Sequence, residues 1–262
     1  REREREMEFV GASGFCLTTG IYRSQWDCTA SATTSLLHKP SSSPPSSSLP
    51  SFLFSLDPPA KPAFVEAASG ATLSYRDLRA RTALVARALR GLGVNKGDVV
   101  LVVTPNSLHF PTLVLGIMSL GAVFSTANFL NTREEMQTQV QDSKPVLIIT
   151  TGDLQSKLDG LISGPLVLVQ ELLAQIRGCH EGVVVPVKPS CVEVSPGDTA
   201  ALMYSSGTTG KSKAVVCSHG NLIAMSRLLG QVWGGRDRAG HDDVYVCAVP
   251  MFHMFGFSLF VC

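Results

Sequence analysis

Five consecutive aliphatic residues, Val99-Val100-Leu101-Val102-Val103, follow Asp98 in this chain of 262 residues. A strand with one wet face alternates apolar and polar residues. A run with no polar position must be covered on both faces, as in a parallel sheet between helices. Two more mainly aliphatic runs, Val146 to Thr150 and Leu166 to Val169, recur with helix-type segments between them. Ser74 with Asp77 three residues on is close to a capping box. Leu78, Leu84, Val85, Ala88 and Leu89 then follow at helical spacing, and Gly91 is the predicted stop. Pro105-Asn106 leads into a predicted helix over 108–120 that Gly121 closes. Thr132-Arg-Glu-Glu135 is a second capping box, opening a helix to about Ser143 where Lys144-Pro145 stops it. A further helix is predicted over 153–162. This alternation of strand and helix predicts an α/β fold with parallel-rich sheets flanked by helices.

The rest of the composition narrows the field. A hydrophobic content of 45% is enough for one large or two small domains. The net charge of +1 gives no electrostatic case for nucleic acid or an anionic membrane. The cysteines at 16, 28, 179, 191, 217, 247 and 262 form no C-x-x-C pair and have no zinc-type histidine spacing beside them, so no metal site is expected. The longest apolar run, Phe110 to Ala127, is interrupted by Pro111, Ser119, Gly121 and Ser125, and reads as a buried helix and strand, not a transmembrane segment. Residues 1–50 read as a disordered, low-complexity tail: an alternating Arg-Glu run, Met7 as a candidate start, a Ser/Thr-rich stretch without an amphipathic arginine face, and a Ser/Pro linker. Folded sequence is expected over 51–262.

The segment with most chemistry is Tyr204-Ser205-Ser206-Gly207-Thr208-Thr209-Gly210-Lys211-Ser212-Lys213. Glycines let backbone N–H groups approach an anion, hydroxyls add donors and lysine adds charge, so the composition suits phosphate. An ordinary solvent-exposed turn has the same composition. The flanks, Ala200 to Met203 and Ala214 to Cys217, are apolar and strand-like, which predicts a buried strand–loop–strand unit. Gly210-Lys211-Ser212 also matches the end of a Walker loop, but Ser205 stands where its first glycine belongs, and Lys213 leads into a strand where that loop needs a helix.

Tyr204 to Gly210, with Lys213 and Val215, resembles the signature loop of the acyl-adenylate-forming ligases, [YF]-S-S-G-T-T-G-x-P-K-G-V. Ser212 replaces the usual proline, and Ala214 replaces a glycine, which matters if that position needs a positive φ. The stretch 97–106, Gly121-Ala122-Val123 and Ala127-Asn128 resemble the family's early core, with Phe129 in place of a common proline. Pro250-Met251-Phe252-His253 resembles its P-x-F-H motif, after a strand predicted over Asp243–Val249. His219, with Asn221 two residues on, matches a further family histidine; here Asn221 is the predicted N-cap of a helix over 222–232, and helix capping and catalysis both remain open for His219.

The resemblance is to the plant 4-coumarate–CoA ligase-like group and covers residues 50 to 262, the N-terminal part of the family's large domain. It implies an ATP-dependent carboxylate–CoA ligase with ATP, Mg2+ and CoA, acting on a small carboxylic acid through an acyl-adenylate. It assigns phosphate binding to Ser205, Ser206, Gly207, Thr208, Thr209, Gly210 and Lys213, and the acyl wall to His253, Phe255 and Leu259. Phe255 and Leu259 stand where hydroxycinnamate ligases have tyrosine and serine, which implies a more apolar acyl group. The family's adenine motif Y-G-x-T-E, its ribose aspartate and its C-terminal catalytic lysine have no counterpart in this sequence, so the catalytic set is incomplete and a fragment inactive alone is expected. A cytoplasmic or peroxisomal location is expected. A truncated nucleotide- or partner-binding isoform and a P-loop NTPase are the alternatives.

Overall fold

The computed structural model describes residues 15–16, 21–22, 48–56, 58, 60–177, 192–205, 212–233 and 244–262. The chain divides into two units, Arg1–Pro45 and Ser46–Cys262. In the first, β1 (Phe15–Cys16) pairs antiparallel with β2 (Ile21–Tyr22).

The second unit starts with α1 (Leu49–Leu53), capped by the Ser48 hydroxyl, a little before the boundary expected at Ser51. A small antiparallel pair follows, β3 (Pro62–Val65) with β4 (Thr72–Ser74). Ser74 then caps α2 (Tyr75–Gly91), its hydroxyl accepting the Asp77 N–H at 3.0 Å. The buried stripe of α2 is Leu78, Thr82, Val85, Ala86 and Leu89.

A six-stranded sheet carries the rest. It consists of β5 (Val99–Val103), β6 (Val123–Thr126), β7 (Leu147–Thr150), β8 (Leu166–Leu168), β9 (Thr199–Ser205) and β10 (Lys213–Ser218). Its order is β10-β9-β6-β5-β7-β8, parallel throughout except for the β10–β9 pair. The aliphatic run at β5 is covered on both faces. Val100 and Val102 join the larger core cluster, while Leu101 and Val103 join the smaller one beneath the other face, as the two-residue period of a strand requires. The larger cluster includes α3 (Phe110–Ser119) and α6 (Val169–Arg177); the smaller includes α4 (Arg133–Ser143) and α5 (Gln155–Leu158). Gly116 lets α3 approach α2, because a Cβ there would lie 2.5 Å from Val85 Cγ1.

Strand order fixes where this sheet can bind a ligand. From β5 the chain crosses to β6, and from β7 it crosses the opposite way to β8. The carboxyl ends of the adjacent strands β5 and β7 therefore form a topological switch point, where open α/β sheets leave a crevice.

Three local expectations are corrected. The helix expected over 153–162 is a 3-10 turn at Gly152–Leu154 followed by the short α5, because Gly160 at φ +73° turns the chain away. The strand expected over Asp243–Val249 forms no ladder in its described part, 244–249, and Val244 and Val246 are 84% and 83% exposed. Its residues favour a strand, but a strand needs a hydrogen-bonded neighbour, and none of the described residues supplies one. The helix expected over 222–232 is α7 (His219–Trp233), which begins three residues earlier. Ser218, not Asn221, caps it: the Ser218 hydroxyl accepts the Asn221 N–H, and Asn221 Oδ1 accepts the Ser218 N–H in return. No helix among the described residues is long and apolar enough to cross a membrane.

Candidate functional site

The signature loop joins two neighbouring antiparallel strands. Ser205 at the end of β9 pairs with Lys213 at the start of β10, and the Ser212 hydroxyl donates to the Ser205 carbonyl at 3.2 Å. These contacts close the base of the loop beyond the carboxyl end of β9, on the same sheet edge as the switch point. A Walker loop instead opens a helix, so this geometry does not suit that reading. Ser206, Gly207, Thr208, Thr209, Gly210 and Lys211 lie outside the described residues. Lys213 is exposed. Ala214, the substituted glycine, pairs with Tyr204 in the ladder and has no positive φ, so its Cβ strains nothing.

Tyr204 ties the loop to the opposite face of the sheet. Its hydroxyl donates to Asp142 Oδ2 at 2.6 Å, reaching α4. Burial, and then the Asp142 carboxylate, raise the phenol above its usual range, so it stays a donor. Gln139 on the same helix donates to the Thr126 carbonyl at 2.6 Å, fixing α4 to the end of β6.

The Pro250-Met251-Phe252-His253 segment turns into α8 (Met254–Phe260), and His253 is its N-cap. His253 Nδ1 accepts the Phe255 N–H at 3.3 Å, which leaves Nε2 as the protonated nitrogen of the neutral ring. His253 is exposed, Phe255 is 57% exposed and Leu259 is half-buried. These three share one helix start and its first turns, but in the described chain they do not close a pocket. Phe129, which stands at the usual proline position, packs edge-on against Phe252 with centroids 5.7 Å apart. It thereby connects the end of β6 to this turn, a contact the sequence did not signal.

His219 lies elsewhere in role. It is fully buried, and Nδ1 accepts the Leu49 N–H at 3.1 Å, pinning α1 to the start of α7. Burial pushes its pKa down to about 4, against the opposing pull of Asp198. Its Nε2 has no hydrogen-bond partner. A neutral, enclosed ring held in this way serves packing and helix docking.

At the switch point, a cavity of about 190 Å3 lies between Thr104, Pro105, His109, Thr151, Val169 and Leu173. The hydroxyls of Thr104 and Thr151 are buried there without partners. It opens off β5 and β7, whereas the loop leaves β9, so the two are separate features of one edge. Among the described residues no group of His, Cys, Asp or Glu side chains could hold a metal ion.

An open, parallel-rich sheet with its loop-bearing carboxyl edge places the protein in the ligand-binding α/β class. The model of the AMP-binding enzyme matches residues 55–262. The chain is 44% identical to the 4-coumarate–CoA ligase-like 8 of Oryza sativa subsp. japonica, over 98% of its own length and 42% of the relative's. It is 40% identical to the peroxisomal OPC-8:0-CoA ligase 1 of Arabidopsis thaliana, over 76% of its length and 37% of that protein's. The ATP-bound RpMatB-BxBclM chimera B3 superposes with a TM-score of 0.69 at 28% identity, covering 82% of this chain and 42% of the other. The chain therefore belongs to the AMP-binding enzyme family, the adenylate-forming ligases, and groups with its plant 4-coumarate–CoA ligase-like members. It spans less than half the length of these two curated relatives.

Proposed function

We propose that residues 51–262 form the phosphate-gripping and acyl-walling part of an ATP-dependent carboxylate–CoA ligase. The observation that carries this reading is the closed base of the β9–β10 loop, with Ser205 paired to Lys213 at the sheet's carboxyl edge. A carboxylate attacks the α-phosphate of ATP to give an acyl-adenylate and pyrophosphate, and the CoA thiol then displaces AMP. The first step depends on positioning and on stabilising charge as pyrophosphate leaves. Ser205, Ser206, Thr208 and Thr209 supply hydroxyl donors, Gly207 and Gly210 give the backbone close approach, and Lys213 supplies charge. Mg2+ would enter with the phosphates of ATP.

His253, Phe255 and Leu259 wall the acyl group. Phenyl and isobutyl groups offer a carboxylic acid tail no hydrogen bond, which favours an aliphatic chain over a hydroxylated ring. The similarity to an OPC-8:0-CoA ligase supports the same direction. The protein is proposed to act in the cytoplasm or peroxisome.

Reading the transcript past codon 262 separates this proposal from a short non-catalytic isoform. Continuation into Y-G-x-T-E is expected, and a stop codon there favours the isoform. The complete product is expected to form acyl-CoA from medium-chain acids about tenfold faster, in kcat/KM, than from 4-coumarate, the scale of one lost pocket contact. Equal or reversed preference contradicts the apolar wall. Purified 1–262 is expected to form no acyl-AMP.

A further inference from the structure

The extended segment 244–249 has no strand beside it among the described residues, yet it runs into a well-defined turn. One side chain explains the difference. Asn106, just past the carboxyl end of β5, donates from Nδ2 to the Val249 carbonyl at 2.9 Å, with a longer contact to Cys247 Sγ at 3.7 Å. Its Oδ1 accepts the Met251 N–H at 2.8 Å. One carboxamide thus meets a carbonyl and an N–H two residues apart, as a neighbouring strand would.

The contacts continue from there to the proposed acyl wall. The Pro250 carbonyl lies between the two gripped groups and accepts the His253 N–H at 3.2 Å. Gly256 packs on that same carbonyl, where a Cβ would come to 2.2 Å. His253 Nδ1 then holds the Phe255 N–H. The Phe252 ring is fixed separately by Phe129. Asn106, 147 positions upstream of His253 and just past the carboxyl end of β5, is thus bonded to the base of the turn that carries His253 and Phe255.

We propose that Asn106 is a positioning residue for the acyl wall, setting the angle at which the turn presents His253 and Phe255 to the carboxylic acid. The role of that wall rests on the ligase reading above; the grip on the turn does not. Aspartate at 106 keeps an oxygen for the Met251 N–H and loses the donor to Val249. Alanine loses both.

Amide exchange and histidine side-chain NMR on this chain test the grip directly. Asn106→Ala is expected to speed Met251 amide exchange about tenfold, the scale of one lost hydrogen bond, and to shift the His253 ring signals. Asn106→Asp is expected to keep most of the Met251 protection while shifting His253. Thr150→Val removes the nearby 2.8 Å bond to the Val103 carbonyl and is expected to leave both readouts unchanged. Unaltered Met251 exchange in Asn106→Ala, or an equal response to Thr150→Val, overturns the proposal. Should the alanine variant fail to fold, Asn106→Ser against Asn106→Asp carries the same comparison. In the complete ligase, Asn106→Asp is expected to raise the KM for the acid about tenfold with little change in the KM for ATP, the scale of one lost hydrogen bond at the wall. Equal losses for both substrates overturn the positioning role. A wild-type protein that turns over no acid, with the exchange result intact, sinks the ligase reading and leaves the grip standing.

Discussion

His219 shows how far a residue's setting can decide between roles that a motif leaves open. Its ring accepts the Leu49 N–H inside the core, and protonation would place a second donor against that N–H. Asp198 and Lys96 are the charged groups felt nearby, themselves paired at 2.6 Å. With a folded pKa near 4 and an unfolded value near 6.5, the unfolded chain binds the proton first as pH falls. Stability from this residue is therefore complete above about pH 6.5, falls between pH 6.5 and 4, and is gone below that window. The loss is expected to reach about 3 kcal/mol, read by urea denaturation across that pH range. His219→Asn keeps an acceptor that does not titrate, so its profile should be flatter by a similar amount. A parallel pair of profiles would show that other groups carry the acid sensitivity.

Among the elements, the turn before α8 is held by shape as much as by hydrogen bonds. Gly256→Ala would force its Cβ into the Pro250 carbonyl, and the turn would have to open. The expected cost is about 1–3 kcal/mol, with a shifted His253 signal, as for overpacked sites generally. Unchanged melting would mean that the turn yields freely. At the other end of the sheet edge, the reciprocal capping box of α4 joins Thr132 to Glu135 through bonds of 2.8 and 3.3 Å. Thr132→Ala is expected to cost about 1 kcal/mol by thermal denaturation. Because Tyr204 docks on the last turn of this helix, heating should loosen the loop base and α4 together.

At the scale of the whole molecule, the sheet's strands and most of its helices were legible because unbroken aliphatic runs and capping residues are local signals. The β5 run declared two covered faces, and Thr132-Arg-Glu-Glu135 declared a helix start. Strand order was not local, and neither was the Asn106 grip, the Phe129–Phe252 contact or the His219–Leu49 pin, which spans 170 positions. The run at 243–249 misled for the same reason, since strand propensity does not name a partner. Exposed Val244 and Val246, with Val215 and Val216 on the edge strand β10, give the isolated chain apolar, strand-like surface. Sedimentation is expected to show self-association at micromolar concentrations, reduced by Val216→Lys with Val246→Lys. A monomer at all concentrations would show that these edges are covered.

On the proposed reading, the β9–β10 loop grips the departing phosphates through Lys213 and its neighbours. Its most direct test is titration of inorganic pyrophosphate and of ATP into the chain, followed by calorimetry, with Lys213→Ala and Lys211→Ala alongside. Binding is expected in the wild type, weakened about tenfold or more by Lys213→Ala and less by Lys211→Ala, the scale of one charge-assisted hydrogen bond. Binding abolished by Lys211→Ala but spared by Lys213→Ala, or no binding of either anion, would contradict it.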